Sequence, residues 1–407
     1  MHLYAIPLVF ALIGLILYTV LGGADFGAGI WQLLAGTGEQ AERVRDHAHE
    51  SMAPVWEANH VWLVFVLTVV WTAYPTAFGS IASTLSIPLF IAAVGIIFRG
   101  AAYALRSGTR TRREVSTIDT IFAVSSVLTP FALGTVVGGI ATGRVPVGNA
   151  AGHLVSSWTS PLSIVIGVLA VVTSAYLAAV YLAADAVRLK QPVLAAEFRR
   201  RALGAGVVAG LLAAAGLVVL HGDAHRIYHR LLEGPGLPAL IVSVLAGLIT
   251  LAFVSTRRFE FARYSAALAV AAIIAGWALA QEPVFLPGLS VRQAAAPHDT
   301  LVLVVIAVLA GGAILFPSLV ALFGLVLRGG FDPGATAVPS TPKAIVAASA
   351  RAPLARVAVA LLIAGIGGLT LAETSWAHAI GVVCLLAFVV VGFVAVAPAH
   401  IAAGDDS

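Results

Sequence analysis

The sequence is poor in charged residues. Only 10% of its 407 residues are Asp, Glu, Lys or Arg, whereas 60% are hydrophobic. Soluble domains carry roughly 25% charged residues, so this composition argues against a water-soluble protein. The charges are separated by uncharged runs long enough to cross a bilayer, which takes roughly 20 residues. We therefore expect an all-α, polytopic integral membrane protein.

Cysteine is also nearly absent. Cys384 is the single cysteine, which excludes a disulfide within the chain and any metal site built from several thiolates. We interpret it as a small buried hydrophobic residue. The 23 basic residues are scattered between apolar segments and form no stripe, so the sequence does not indicate nucleic-acid binding.

The uncharged runs divide into nine predicted spans. Residues 3–24 have no basic leader and no cleavage site, so we interpret them as a retained first helix rather than a signal peptide. Residues 58–98 form one run about twice as long as a bilayer is thick, so two spans must share it. Tyr74-Pro75 is the expected break, because proline disfavours helix in the residue before it. The predicted spans cover about residues 4–24, 58–74, 78–104, 119–142, 162–184, 202–220, 237–255, 264–281 and 301–327.

Two more apolar segments follow, at about residues 356–372 and 378–397. The stretch before them is rich in Pro, Gly, Ser and Thr, which is typical of a linker. We therefore expect three parts: a nine-helix domain over residues 1–330, a linker over 331–350, and an appended transmembrane hairpin with a short tail over 351–407.

The basic residues of the loops predict the orientation of the chain. Cytoplasmic loops near spans are enriched in Lys and Arg. Of the 23 basic residues, eighteen follow odd-numbered spans and only Arg144, Arg226, Arg230 and Arg292 follow even-numbered ones; Arg99 lies inside a span. This asymmetry places the N-terminus outside and the C-terminus in the cytoplasm.

Two charged residues are expected within the membrane. A charge there is costly, so each one is a candidate functional residue. Asp25 lies in the glycine-rich segment 22–29, near the expected end of the first helix, and Arg99 lies in the third span. Structural alternatives are helix packing for the glycines and a structural role for Asp25. For Arg99 the alternative is a side chain that reaches the membrane surface.

A dense group of polar and aromatic residues opens the predicted second span. Pro54 suits a helix start, and on a helix Glu57 and His60 share a face, with Trp56 and Asn59 on an adjoining one. By the predicted orientation this group and Asp25 lie on the cytoplasmic side. Together they predict a proton entry; the alternative is that Glu57 caps the helix and His60 makes one core hydrogen bond.

Histidines elsewhere give little sign of a metal or haem site. His221, His225 and His229 recur with Asp223 in a predicted outer loop, where they would bind a metal only if helical; solvated loop histidines are the preferred interpretation. Haem ligation needs inward-facing histidines within spans, and only His60 approaches that. We therefore predict that this chain alone binds no metal and no haem.

Several of these segments resemble subunit II of the cytochrome bd-type quinol oxidases. The resemblance covers residues 1 to about 330. It rests on the Gly-Ala-Asp-Phe-Gly-Ala-Gly run at 23–29, Ala-Pro-Val-Trp-Glu-Ala-Asn-His-Val-Trp-Leu at 53–63, Phe-Arg-Gly at 98–100, Glu-Phe-Arg-Arg-Arg at 197–201, and the stretches 276–283, 286–287 and 294–297.

The resemblance implies a bacterial plasma-membrane complex that oxidises quinol and reduces dioxygen to water in aerobic respiration. A haem-bearing subunit I would hold haems b and d, and this chain would perform no catalysis alone. It would support subunit I and contribute Trp56, Glu57 and Asn59 to proton uptake, with Asp25 as the first-helix carboxylate; His60 joins this path from the residue pattern.

Arg99 matches the family's third-helix arginine and is our candidate for a bound quinone or for the subunit interface. Family members often have a second Asp where this chain has Gly22, and Asp where it has Glu57. The first difference puts a two-carboxylate site in doubt, whereas the second keeps the charge.

Two other functions fit the same polar residues. A secondary transporter would also place carboxylates and glycine-broken helices within the membrane. A purely structural assembly subunit would tolerate neutral substitutes for its carboxylates. A transporter would work without a haem-bearing partner, which separates it from the oxidase subunit.

Overall fold

A computed structural model describes residues 2–106, 112–327, 353–354, 356–365, 367 and 375–396, although several side chains within these ranges are not described. Regular structure in these ranges is helical apart from one two-stranded hairpin. After a 3-10 turn at Leu3–Ala5, the helices of the first part are α1 (Ile6–Leu33), α2 (Glu39–Ala73), α3 (Pro75–Thr84), α4 (Ser86–Arg106), α5 (Arg112–Ala141), α6 (Pro161–Arg188), α7 (Pro192–Asp223), α8 (His225–Leu232), α9 (Leu237–Ser255), α10 (Phe259–Gln281), α11 (Val291–Ala294) and α12 (His298–Leu327).

Eight helices of the described residues are long and apolar enough to cross a membrane. In addition, Asn59–Ala73 and Pro75–Thr84 form a pair bent by 120°. The bend lies at Tyr74-Pro75, which confirms the predicted break. The third predicted span, 78–104, was wrong in its start, because α3 ends at Thr84 and the spanning helix α4 begins at Ser86. The nine-span count and the orientation stay predictions.

Helix ends outside the apolar runs were predicted less well. Helix α1 continues to Leu33, so Asp25 lies inside the helix and not at its end. Helix α2 begins at Glu39 and is continuous through residue 54. The prediction that Pro54 starts a helix was therefore wrong, and so was the alternative in which Glu57 caps it. The missed turns are polar and are stabilised by pairs four residues apart, such as Glu39 with Arg43 at 2.7 Å. Hydropathy detects the part of a helix that lies in lipid, not the part that extends into water.

Small residues bring the central helices into close contact. A Cβ on Gly27 of α1 would lie 1.9 Å from the backbone oxygen of Ser174 in α6. A Cβ on Gly138 of α5 would lie 2.4 Å from the Cα of Ser163, also in α6. Such close contacts are how membrane helices gain packing energy without a hydrophobic driving force. Helix α6 therefore packs closely against both α1 and α5.

A short non-helical cap covers one end of the bundle. Strands β1 (Val284–Leu286) and β2 (Leu289–Ser290) pair antiparallel around Gly288, which has a φ of 77°. The chain after the hairpin is tied to the bend of α2, because the amide of Ala296 donates to the carbonyl oxygen of Ala73 at 2.8 Å. Tyr74 donates to the carbonyl oxygen of Tyr4 at 2.6 Å. The hairpin was not expected from an all-α sequence pattern.

The chain forms two compact units, residues 1–314 and 315–407. In the second unit, α13 (Arg356–Gly365) and α14 (Ser375–Val396) coincide with the two late apolar segments. They contact each other, since a Cβ on Gly365 would lie 2.6 Å from the side chain of Leu385. The predicted linker 331–350 lies outside the described residues, and the appended transmembrane hairpin stays a prediction.

The α1–α6 contact predicts opposite effects for two glycine substitutions. Gly27→Ala should lower the thermal stability of the purified protein, because overpacking of this kind costs about 1–3 kcal/mol. Gly210→Ala in α7 is the matched control, since a Cβ there meets nothing within 4 Å, and alanine should stabilise that helix slightly. Equal melting temperatures for the two variants would contradict the packing described for Gly27.

Candidate functional site

The candidate site is centred on a buried ion pair between α1 and α4. Nη2 of Arg99 lies 2.6 Å from Oδ1 of Asp25, and Nε of Arg99 lies 3.2 Å from Oδ2. The two residues are 1% and 2% exposed. The guanidinium therefore contacts both carboxylate oxygens, the bidentate geometry that makes such pairs strong. Because Arg99 is buried within the protein, the alternative in which it reaches the membrane surface is wrong.

The guanidinium of Arg99 is enclosed by further partners. Nη2 also donates to the backbone oxygen of Asp25 at 2.7 Å, and Nη1 donates to Oγ of Ser126 in α5. The rings of Phe122 and Phe26 lie 3.9 Å and 5.1 Å from its central carbon. These contacts offset the cost of removing the charge from water, which an ion pair alone often fails to do.

Asn59 of α2 completes the cluster. Its Nδ2 donates to Oδ2 of Asp25 at 3.3 Å, and the residue is fully buried. Its Oδ1 has no hydrogen-bond partner among the described atoms and faces Gly22, where a Cβ would lie 3.4 Å away. The cluster thus joins four helices, α1, α2, α4 and α5, at one point inside the bundle.

Gly29 provides the space for this arrangement. A Cβ there would lie 2.0 Å from Oγ of Ser126 and 2.9 Å from Nη1 of Arg99. A larger residue at position 29 would therefore displace the hydrogen bond between Arg99 and Ser126. The glycine-rich run of α1 serves both helix packing, as at Gly27, and the polar site.

The structure brings together three of the six predicted site residues, namely Asp25, Asn59 and Arg99. His60 follows Asn59 in α2 and is half-buried. The backbone of Trp56 and Glu57 lies within α2, but their side chains lie outside the described part of the structure. The predicted closeness of Asp25 and Glu57 therefore stays a prediction.

Two further buried polar residues share a face of α1 with Asp25. Tyr18 and Gln32 lie seven residues before and after Asp25, which is about two helical turns in each direction. Neither Oη of Tyr18 nor the amide atoms of Gln32 have a hydrogen-bond partner among the described atoms. Neither residue was predicted from the sequence, although their seven-residue spacing was a usable signal.

A second buried carboxylate lies near the far end of α6. Asp185 is 4% exposed and pairs with Arg263 of α10 at 2.5 Å and with Arg188 at 3.2 Å. It lies one turn before the end of α6. The pair ties α10 to α6.

Among the described residues, no group of three or more His, Cys, Asp or Glu side chains could hold a metal ion. His47 of α2 is also buried, at 3% exposed, but it lies outside the predicted span 58–74. Its Nε2 lies 3.0 Å from the carbonyl oxygen of Leu182.

These helices and the enclosed ion pair define a polytopic helical membrane protein with a polar site inside its bundle. Residues 3–326 match the family model described as cytochrome bd terminal oxidase subunit II. Because the match covers most of the chain, the chain belongs to this family, whose members are part of an oxidoreductase complex.

Two relatives illustrate the similarity. The chain is 31% identical over 86 residues to cytochrome bd ubiquinol oxidase subunit 2 of Bacillus subtilis; the aligned stretch is 21% of this chain and 25% of that protein, so the match spans only a quarter of the relative's length. A chain of the bd oxidase structure from Geobacillus thermodenitrificans matches with a TM-score of 0.65 and 25% identity, covering 81% of this chain and 99% of that one.

The ion pair predicts a specific pattern of stability losses. Arg99→Met or Asp25→Asn alone should cost about 3–5 kcal/mol, because each leaves one charge buried without its partner. The double variant should lose less than the sum of the two, as a double-mutant cycle on the thermal stability of the purified protein would show.

Arg43→Met is the control for this cycle. Arg43 and its partner Glu39 keep 60% and 81% of their side-chain surfaces exposed, so the loss there should be at most about 1 kcal/mol. Strictly additive losses at Asp25 and Arg99 would contradict the coupling.

Proposed function

We propose that this chain is the non-haem second subunit of a bacterial plasma-membrane oxidase that oxidises quinol and reduces dioxygen to water. The family membership supports this proposal, as does the similarity to the ubiquinol oxidase subunit of Bacillus subtilis and to the bd oxidase of Geobacillus thermodenitrificans. The transporter alternative has no comparable support. The haem-bearing subunit I would carry haems b and d and the quinol-oxidising site.

Within the complex, we propose that this chain supports subunit I and helps take up protons from the cytoplasm. The observation that carries the proposal is the polar site inside the bundle, which includes the fully buried Asn59. Polar groups are costly to place within a membrane, so each one found there is a candidate functional group. Reduction of dioxygen to water consumes protons, so a polar path into the membrane is chemically required.

The roles of the two carboxylates differ in this proposal. Asp25 accepts hydrogen bonds from Arg99 and Asn59, and protonating it would break the ion pair that holds four helices together. We therefore give Asp25 a fixed electrostatic role and give proton transfer to Glu57 and the residues around it, Trp56, Asn59 and His60. Arg99, enclosed by protein, is then part of the scaffold rather than a contact for quinone.

Glu57→Gln tests the proton path. Replacing the carboxylate should lower quinol-driven oxygen uptake about tenfold or more, because a positioned acid or base typically contributes at least that factor. Assembly with the haem-bearing subunit should be retained. Oxygen uptake and haem content of the purified complex would be measured together, with Glu39→Gln on the exposed first turn of the same helix as control.

Unchanged oxygen uptake in Glu57→Gln would remove Glu57 from the proton path and favour the purely structural subunit. Asp25→Asn should instead reduce assembly, for the reason given above.

Tyr18→Phe tests whether the polar face of α1 extends the path. If the hydroxyl were only structural, removing a buried group with no described partner would leave stability unchanged or raise it. We expect stability to follow that rule while oxygen uptake falls, because the proposed path along this face of α1 would lose a group that can donate and accept a proton. If this variant takes up oxygen at the wild-type rate, the proposed proton path is limited to the residues of α2.

A further inference from the structure

Two histidines of α8 face each other at the surface of the protein. His225 and His229 are four residues apart, and their Nε2 atoms lie 3.0 Å from each other. Helical histidines at this spacing project from one face and can chelate one ion. The structure thus corrects the prediction that His221, His225 and His229 lie in a solvated loop, since all three are in helices α7 and α8.

The other ring nitrogens of the pair determine what the facing nitrogens can do. Nδ1 of His225 lies 3.2 Å from the carbonyl oxygen of His221, and Nδ1 of His229 lies 2.9 Å from a carboxylate oxygen of Glu233. A carbonyl or carboxylate oxygen only accepts, so both Nδ1 atoms must donate. In a neutral imidazole the second nitrogen then carries a lone pair. The lone pairs of the two Nε2 atoms therefore face each other, and they repel unless a cation lies between them.

The spacing fits a transition-metal ion. Zn²⁺ binds histidine nitrogen at about 2.0–2.1 Å, so two such ligands at angles of about 90–110° are about 2.9–3.4 Å apart. We propose that His225 and His229 bind a divalent transition-metal ion, such as Zn²⁺ or Cu²⁺, through their Nε2 atoms. Glu233 orients His229 in the manner of the carboxylate–histidine–metal arrangement.

The remaining coordination positions are open to solvent. Asp223, once a candidate ligand, is engaged elsewhere: Oδ1 pairs with Arg144 at 2.9 Å, and Oδ2 accepts from the amide of Leu162 at 3.1 Å. Two protein ligands give weaker binding than a closed structural site. By the predicted orientation, α8 lies on the outer side, so the ion would come from the external medium.

The backbone that carries the pair is held in place before any ion binds. Ile227 and Leu231 anchor α8 in a hydrophobic cluster. Arg226 and Arg230 donate to carbonyl oxygens at the end of α10, with Nε of Arg230 3.0 Å from that of Ala280. These two positive charges oppose cation binding, and the carboxylate of Glu233 offsets part of that repulsion.

The test uses the tag-free, chelator-treated complex, titrated with Zn²⁺ alone or Cu²⁺ alone in a calorimeter. We expect one site that His225→Ala or His229→Ala weakens at least about tenfold, with Glu233→Ala also weakening it. His298→Ala is the control, because His298 is a solvent-exposed histidine with an acidic neighbour, Asp299, and is not part of the pair. The Cu²⁺ form should show two nitrogen ligands by electron paramagnetic resonance.

A second measurement needs no variant. Zn²⁺ should protect His225 and His229, but not His298, from acylation by diethyl pyrocarbonate, as mass spectrometry would show. If the wild-type complex binds neither ion in the micromolar range, the two nitrogens share only a proton and the proposal is wrong. Equal binding by the wild type and both histidine variants, or equal acylation with and without Zn²⁺, would also overturn it.

Discussion

The ion pair between Asp25 and Arg99 is the constraint on which the central bundle depends. A charge inside a membrane protein must be paired and its remaining donors satisfied, or it is too costly to keep. Here Asn59 of α2 and Ser126 of α5 satisfy that requirement. Position 29 must be a glycine, because a side chain there would collide with Ser126 and Arg99. The positions of four helices are therefore coupled through one carboxylate.

This coupling separates two tasks that intramembrane carboxylates can perform. A group that carries protons must change its protonation state without disturbing its surroundings, whereas Asp25 fixes its surroundings through both of its oxygens. An anchor of this kind still contributes to proton uptake, because its field and its neighbour Asn59 orient nearby polar groups. The groups that carry protons must then lie elsewhere. The candidates are residues 56–60 of α2, the segment that contains Asn59.

The sequence alone predicted the parts of the fold that lipid dictates. Apolar runs predicted the spanning helices, and Pro75 predicted the break after α2. The cost of a charge within the membrane identified Asp25 and Arg99 as candidate site residues. Their pairing was not predictable, because they lie 74 residues apart and hydropathy carries no information on which helices are neighbours. Helix ends in water, such as the start of α2 at Glu39, and the hairpin at Val284–Ser290 depend on local polar contacts that a hydropathy pattern does not record.

Low charge content also explains why neutral polar residues matter here. The buried charges that the structure resolves in the bundle, at Asp25, Arg99 and Asp185, are committed to ion pairs that hold helices together. A hydroxyl or an amide costs less to bury than a charge, so a path of such groups with water is the less costly way to lead protons into a bilayer. Tyr18 and Gln32, on the same face of α1 as Asp25, are groups of this kind.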